Sequence, residues 1–291
     1  MFYLVFIFGM IVGSFLNVVI YRLNPTLQLK GGVFGRSMCP NCKTQLKWYD
    51  LIPLFSFICL CGRCRHCRKK ISWQYPMVEI LSGLIWILVF SKNLDNFQFT
   101  IFNLQSISNL QFLNQLNLLN FFYHVLIFST LLVIAVYDFK WKIIPDKIVY
   151  PAIIVVFLYN IFNSLKYFNF KTFKLLNFEI LKYINIEIFI YPLLAAIIAF
   201  FLFFLIYFFS NGRAMGLGDA KLAFLIGLFL DPSSTATALI SAFIIGAIFG
   251  IILLALGTKT FKSQIAFGPF LVLGVFIAFF FSEFVINSLN F

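Results

Sequence analysis

Charged residues are scarce in this chain of 291 residues, at 11% against the roughly 25% usual in soluble domains. Hydrophobic residues make up 62%, above the usual ~45–50%. Together these exclude an ordinary soluble globular domain and predict an all-α polytopic membrane protein in contact with membrane lipids. Acids are scarcer still, ten Asp and Glu against 22 Lys and Arg, for a net charge of +12. That basic excess does not imply nucleic acid. No basic face with interleaved aromatics is present, and the cations gather in loops between apolar runs, where membrane topology accounts for them. The first apolar run, Phe2 to Tyr21, lacks both a basic n-region and a small-residue cleavage site, which predicts a retained span rather than a signal peptide.

About eight transmembrane helices are predicted from apolar runs near the ~20 residues needed to cross a ~30 Å core. They are Phe2 to Tyr21, Pro76 to Phe90, Phe121 to Asp138, Ile148 to Phe162, Ile188 to Phe209, Ala220 to Leu230, Thr235 to Leu256 and Ala266 to Phe281. Ala220 to Leu230 is short for a full crossing, so it either extends through Met215 to Asp219 or stops below the far surface. One set of alternate loops holds seventeen Lys and Arg, ten of them between Arg22 and Tyr75, and the other set holds five. Cytoplasmic loops carry such an excess. The richer set is therefore expected inside and the amino terminus outside. The four lysines between Lys166 and Lys182 then read as an interfacial amphipathic stretch, and Ser91 to Asn120 as a polar outer loop. The expected organisation is a first helix over 1–22, a cytoplasmic loop over 23–75 and a multi-helix membrane core over 76–291.

That loop holds all six cysteines. Four form two C-x-x-C knuckles, CPNC at Cys39 and Cys42 and CRHC at Cys64 and Cys67. In a reducing compartment, paired knuckles favour a tetrahedral zinc over disulfides, because each tight turn supplies two thiolates. A closed four-sulfur shell leaves no open position, so the metal is expected to be structural. His66 is a minor alternative ligand. Cys59 and Cys61 lack a knuckle and are expected to be buried.

Two acids lie at span ends. Asp138, in AVYDFKWKIIPD, closes a span running inward, and Asp219, in MGLGDAKL, opens one running outward, so both belong at the cytoplasmic boundary. Two carboxylates within reach of each other at low dielectric share a proton. In that state one can act as base and the other as acid in aspartic proteolysis. Gly216 and Gly218 permit close backbone approach by a peptide or a helix, while Pro145 and Asp146 suit a helix start. Structural readings stand beside these: Asp219 as an N-cap, Asp138 as a polar stop at the interface, and Lys221 snorkelling towards headgroups.

Five motifs occur in one order: GSFLNVVIYRL from Gly13, the two knuckles, YPMVE from Tyr75, YDFKWKIIPD from Tyr137 and GLGDAKL from Gly216. Together they resemble the type IV prepilin peptidases, and the Tyr-Asp and Gly-x-Gly-Asp pair also resembles presenilin-type intramembrane proteases. The resemblance implies a bacterial inner-membrane enzyme that cuts the leader from prepilins or pseudopilins on the cytoplasmic face, after a glycine. It then N-methylates the new amino terminus with S-adenosylmethionine. By motif, Asp138 and Asp219 are the implied catalytic pair, with Gly216, Gly218 and Lys221 shaping the site. Asp146 is the rival to Asp138. Cys39, Cys42, Cys64 and Cys67 match the family's cysteine loop, which is associated with metal binding and with the methyltransferase half. Ser14, Asn17 and Glu79 either shape the methyl-transfer site or leader channel or hydrogen-bond between helices. No glycine-rich fingerprint marks where S-adenosylmethionine binds. A leader peptidase without methylation is the nearest alternative. An ion-coupled transporter is the remote one, since no inverted repeat is present and both acids sit at an edge rather than at the midplane.

Overall fold

The computed structural model describes residues 1–24, 36–102, 107–166, 186–257 and 265–289. They form nine α-helices and no strands. In chain order these are α1 (Phe2–Arg22), α2 (Phe55–Cys59), α3 (Gln74–Phe102), α4 (Ile107–Trp141), α5 (Asp146–Lys166), α6 (Ile186–Ser210), α7 (Leu217–Phe229), α8 (Pro232–Ala255) and α9 (Gly268–Leu289). Six of them, α1, α3, α4, α5, α6 and α8, contain stretches long and apolar enough to cross a membrane, the architecture of a multi-pass membrane protein. Every one of the eight predicted spans coincides with a helix. One falls short of a crossing: α7 has 13 residues, about 20 Å at 1.5 Å per residue, whereas α9 runs for 22 residues.

The chain divides into two compact units, Met1–Val133 and Ile134–Phe291. In the first, α1 packs on α3 through small residues. A Cβ at Gly9 would lie 2.8 Å from the Gly83 Cα, and one at Gly13 would lie 2.8 Å from the Glu79 Cα, so the backbones meet directly, as membrane helices do where side chains are smallest. The Ser82 hydroxyl donates to the Gly9 carbonyl at 2.7 Å within this contact. Ser91 to Asn120 is not a loop. Apart from 103–106 it is helical, extending α3 to Phe102 and starting α4 at Ile107. It contains no Gly or Pro to interrupt a helix, and its Asn and Gln residues alternate with Leu, Phe and Ile, which tolerate one. Of the predicted interfacial stretch, Lys166 ends α5 and the rest lies outside the described residues.

In the second unit, the short α7 is the central element, contacting α5, α6, α8 and α9. Asp219, Ala220, Leu222, Ala223, Leu225, Ile226, Gly227 and Leu228 are all buried. At Gly227 a side chain would collide with the backbone of Ala195 and Ala196 on α6. The Asn160 amide of α5 donates to the Leu228 carbonyl at 2.9 Å, satisfying one of the carbonyls that a helix end leaves unpaired. A two-residue connection then leads to α8, with Asp231 at its N-cap and Pro232 in its first turn, where the missing N–H costs nothing. A short helix ringed by four others has no lipid-facing side, so its first turn can carry a polar group away from lipid.

Candidate active site and metal centre

Both acids singled out above belong to the second unit. Asp138 lies in the last turn of α4 and is 4% exposed. Its Oδ2 accepts the Gly268 N–H at 2.8 Å. Gly268 is the first residue of α9, whose N–H has no intrahelical partner and whose helix end favours negative charge. A Cβ on Gly268 would stand 2.7 Å from that same oxygen and 3.1 Å from the carboxylate carbon. Glycine is therefore what lets Asp138 dock there. No sequence motif brought Gly268 forward. Its only signal is the Gly-Pro pair that opens α9.

Asp219 occupies the third position of α7, not the N-cap that the structural alternative gave it. Gly216 is the N-cap, with φ −87° and ψ 155°, and the Asp219 Oδ2 reaches back to accept the Gly216 N–H at 3.1 Å. This is the reach-back half of a capping box. Asp219 is 9% exposed and lies within electrostatic range of Asp138. The end of α4 and the start of α7 thus place two buried carboxylates near each other, and each takes one backbone N–H from a helix start.

The glycines of the motif differ in what they do. At Gly218 a Cβ would fall 2.9 Å from the Ile144 Cβ, whereas at Gly216 it would meet nothing closer than 3.6 Å. Gly218 is the close approach foreseen in the sequence, and it seats α7 against the Ile-Ile-Pro-Asp segment. Gly216 contributes its N–H from an ordinary extended backbone. Gly218→Ala is accordingly expected to destabilise by about 1–3 kcal/mol through overpacking. Gly216→Ala should stay within about 1 kcal/mol, the usual scale of a weakened N-cap. Thermal unfolding of the purified variants in detergent checks the difference.

Lys221 does not snorkel freely. Its Nζ meets the Asp146 Oδ1 at 2.7 Å and lies 5.2 Å over the Tyr150 ring. Asp146, the rival acid, is half-exposed and engaged in this ion pair at the start of α5, while Asp138 is the buried one.

The first unit holds the cysteine module. Cys39 and Cys64 each begin a knuckle of the same build. The Cys39 N–H donates to the Thr44 carbonyl and the Lys43 N–H returns to the Cys39 carbonyl, while Cys64, Lys69 and Arg68 repeat the pattern. Lys43 and Arg68 take the same left-handed conformation, at φ 56° and 53°. The Sγ atoms of Cys39, Cys42, Cys64 and Cys67 all lie within 4.8 Å of one another. Zinc–sulfur bonds of about 2.3 Å in a tetrahedron require sulfurs about 3.8 Å apart, and Cys39 and Cys67 are at 3.9 Å. The Thr44 hydroxyl and N–H hold the Cys42 thiol down to about 6, and the backbone N–H groups of Cys67 and His66 lower Cys64. Burial pushes Cys39 up to about 11. This donor set can hold a metal ion. His66 is outside the cluster. Cys59 and Cys61 are exposed rather than buried, because the apolar run they follow lies on the surface of the module, with Phe55 and Ile58 exposed too.

Ser14, Asn17 and Glu79 hydrogen-bond between α1 and α3, Ser14 with the Glu79 side chain and Asn17 with the first turn of α3. Ser14 and Glu79 also hold the backbone of the turn between the two knuckles. The Asn17 amide donates to the Tyr75 carbonyl at 3.0 Å, the Ser14 hydroxyl donates to the Leu51 carbonyl at 3.4 Å, and the Glu79 carboxylate accepts the Leu54 N–H at 2.9 Å.

Family comparisons agree with this division. The profile of the bacterial peptidase A24 N-terminal domain matches residues 7–93, and that of the type IV leader peptidase family matches residues 125–251. Among curated proteins, the chain is 34% identical to a prepilin leader peptidase/N-methyltransferase of Vibrio cholerae, over 53% of this chain and 54% of that protein. Proteins of the same name match nearly end to end in Pectobacterium carotovorum, 26% identical over 92% of this chain and 88% of the relative, and in Legionella pneumophila, 28% identical over 99% and 93%. No solved structure matches. The two profiles follow each other in the order of the motifs, the first over the four cysteines and the second over both buried aspartates, and the chain belongs to the type IV leader peptidase family.

Proposed function

We propose that this protein cuts the leader peptide from prepilins or pseudopilins and N-methylates the amine so exposed, working at the cytoplasmic face of a bacterial inner membrane. The observation that carries the reading is the pair of buried carboxylates, Asp138 and Asp219, presented by two helix ends within electrostatic range of each other. Two such groups out of water ionise in separate steps, so one proton is held between them. The ionised member removes a proton from water as its oxygen attacks the scissile carbonyl, and the protonated member hydrogen-bonds the carbonyl oxygen as negative charge develops there. Collapse of the tetrahedral intermediate breaks the C–N bond, passes a proton to the departing amine and leaves the leader with a new carboxylate. Gly268 and Gly216 hold the two side chains through their N–H groups. Gly218 and the Lys221–Asp146 pair fix the start of α7 against the start of α5.

The methyl group is supplied by S-adenosylmethionine, a reading supported by the names of the full-length relatives. Incubation of the purified protein with a synthetic prepilin, with and without S-adenosylmethionine, tests both activities. Cleavage after the leader glycine and a gain of one methyl mass on the mature peptide are expected. Cleavage with no mass gain leaves the peptidase alone, and no cleavage at all rejects the reading.

In the segment 23–75, zinc held by Cys39, Cys42, Cys64 and Cys67 serves to lock the two knuckles together, while the aspartic site belongs to the membrane core within 76–291. One zinc per chain is expected by elemental analysis, and Cys64→Ser should remove most of it, because such sites fold only when metal is bound. Trypsin should then cut within Arg63 to Lys70, a stretch protected in the metal-loaded protein.

A further inference from the structure

We propose that the turn from Trp48 to Ile58 is a membrane anchor that dips the cysteine module into the lipid interface, with Glu79 as its clamp. A cytoplasmic loop is expected to project into water, but this segment lies alongside the spans. Glu79 is five residues into α3, whose apolar span starts at Gln74, about 7 Å along the helix axis. Its buried carboxylate receives the Leu54 N–H, and Ser14 of α1 holds the Leu51 carbonyl. Leu54 adopts φ 56°, a conformation that a branched residue seldom takes without a compensating contact. Beside it, an open apolar groove is lined jointly by Ile7, Met10 and Ile11 of α1 and by Trp48, Ile52 and Pro53 of the turn. Ile7 and Ile11 lie 15 and 11 residues before the end of α1, well within its apolar length.

The turn's outer surface continues the lipid-facing surface of α1. Trp48, Phe55 and Ile58 are 77%, 62% and 70% exposed, which in water would be an apolar patch without a purpose. Along the same module stand Lys43, Lys47, Arg63, Arg65, Arg68, Lys69 and Lys70, all exposed, with Asp50 the one acid between Arg36 and Tyr75. Arg65 pairs with Asp50 at 2.9 Å and stacks 4.9 Å over Tyr49, tying this cationic edge to the turn. Apolar and indole groups bordered by lysine and arginine are the composition of a segment lying at an anionic bilayer surface, where Trp is enriched. The occupant is therefore the lipid itself, acyl chains against the turn and anionic headgroups against the cations.

The test uses the full-length protein in vesicles of phosphatidylcholine and phosphatidylglycerol whose acyl chains carry bromine close to the glycerol. The Trp48 emission is taken as the difference between wild type and Trp48→Phe. It is expected to fall by about twofold or more in brominated lipid, with little quenching by aqueous acrylamide, as for an indole at the interface. The reverse pattern overturns the proposal. So does relief of the lipid quenching by a synthetic prepilin, which would make the groove a substrate site. Glu79→Leu should lose the quenching and Glu79→Gln, which keeps an acceptor oxygen, should retain it. Full quenching in Glu79→Leu rejects the clamp. None of these readouts depends on peptidase activity, so they stand or fall apart from the proteolytic reading.

Discussion

Replacing either Asp138 or Asp219 by Asn is expected to lower the rate of leader cleavage by on the order of 10³-fold or more, about 4 kcal/mol in the barrier. Asn keeps the shape and still accepts the glycine N–H, but it can neither take a proton from water nor share one across the pair. Because the two groups act as a unit, the double variant should be hardly slower than either single one. Asp146→Asn, by contrast, removes an exposed ion pair with Lys221, and such pairs contribute within about 1 kcal/mol. Its cleavage rate should stay within about tenfold of the wild type. Steady-state cleavage of a synthetic prepilin by the four variants, each checked for folding, measures this. Loss of activity in Asp146→Asn with retention in Asp138→Asn would reverse the assignment.

Gly268→Ala should impair cleavage without unfolding the protein. The glycine has no positive φ, and the atoms nearest an added methyl all belong to Asp138, Oδ2 at 2.7 Å and Cβ at 3.2 Å. The flexible end of that side chain gives way, which costs little stability but moves a reacting group. A displacement of about 1 Å in a catalytic group costs on the order of 10²-fold in rate. The expected outcome is a kcat lowered by about that factor with KM nearly unchanged and thermal stability close to wild type. Equal losses in stability and activity would show that Gly268 serves packing alone.

The difference between these two predictions reflects what a sequence makes visible. Asp138 and Asp219 stand out because carboxylates are costly beside lipid, and the four cysteines because knuckle spacing is local. Gly268 lies 130 residues from the carboxylate it admits, and what matters is an atom it lacks, which leaves no pattern to read. Lys221 and Asp146 each had a plausible solitary role, and only the meeting of α5 and α7 makes them partners. The eight helices were legible from hydropathy. The brevity of α7 became informative only once four neighbours were seen to surround it, since burial on all sides explains how a 13-residue helix can remain in a membrane core. Ser91 to Asn120 read as a loop because polarity was weighed above the absence of helix breakers. Cys59 and Cys61 follow an apolar run that suggests an interior, but that run lies on the surface of the module, with Phe55 and Ile58 exposed. For Gly268, for the Lys221–Asp146 pair and for α7, a distant contact decided what the local signal meant.

The central claim, one proton held between Asp138 and Asp219, is tested most directly by the pH dependence of kcat/KM for cleavage of a synthetic prepilin. A shared proton predicts a bell. At low pH both acids are protonated and nothing activates water, and at high pH both are ionised and nothing donates to the carbonyl oxygen. Activity that keeps rising with pH, with no descending limb that depends on these two residues, would contradict it.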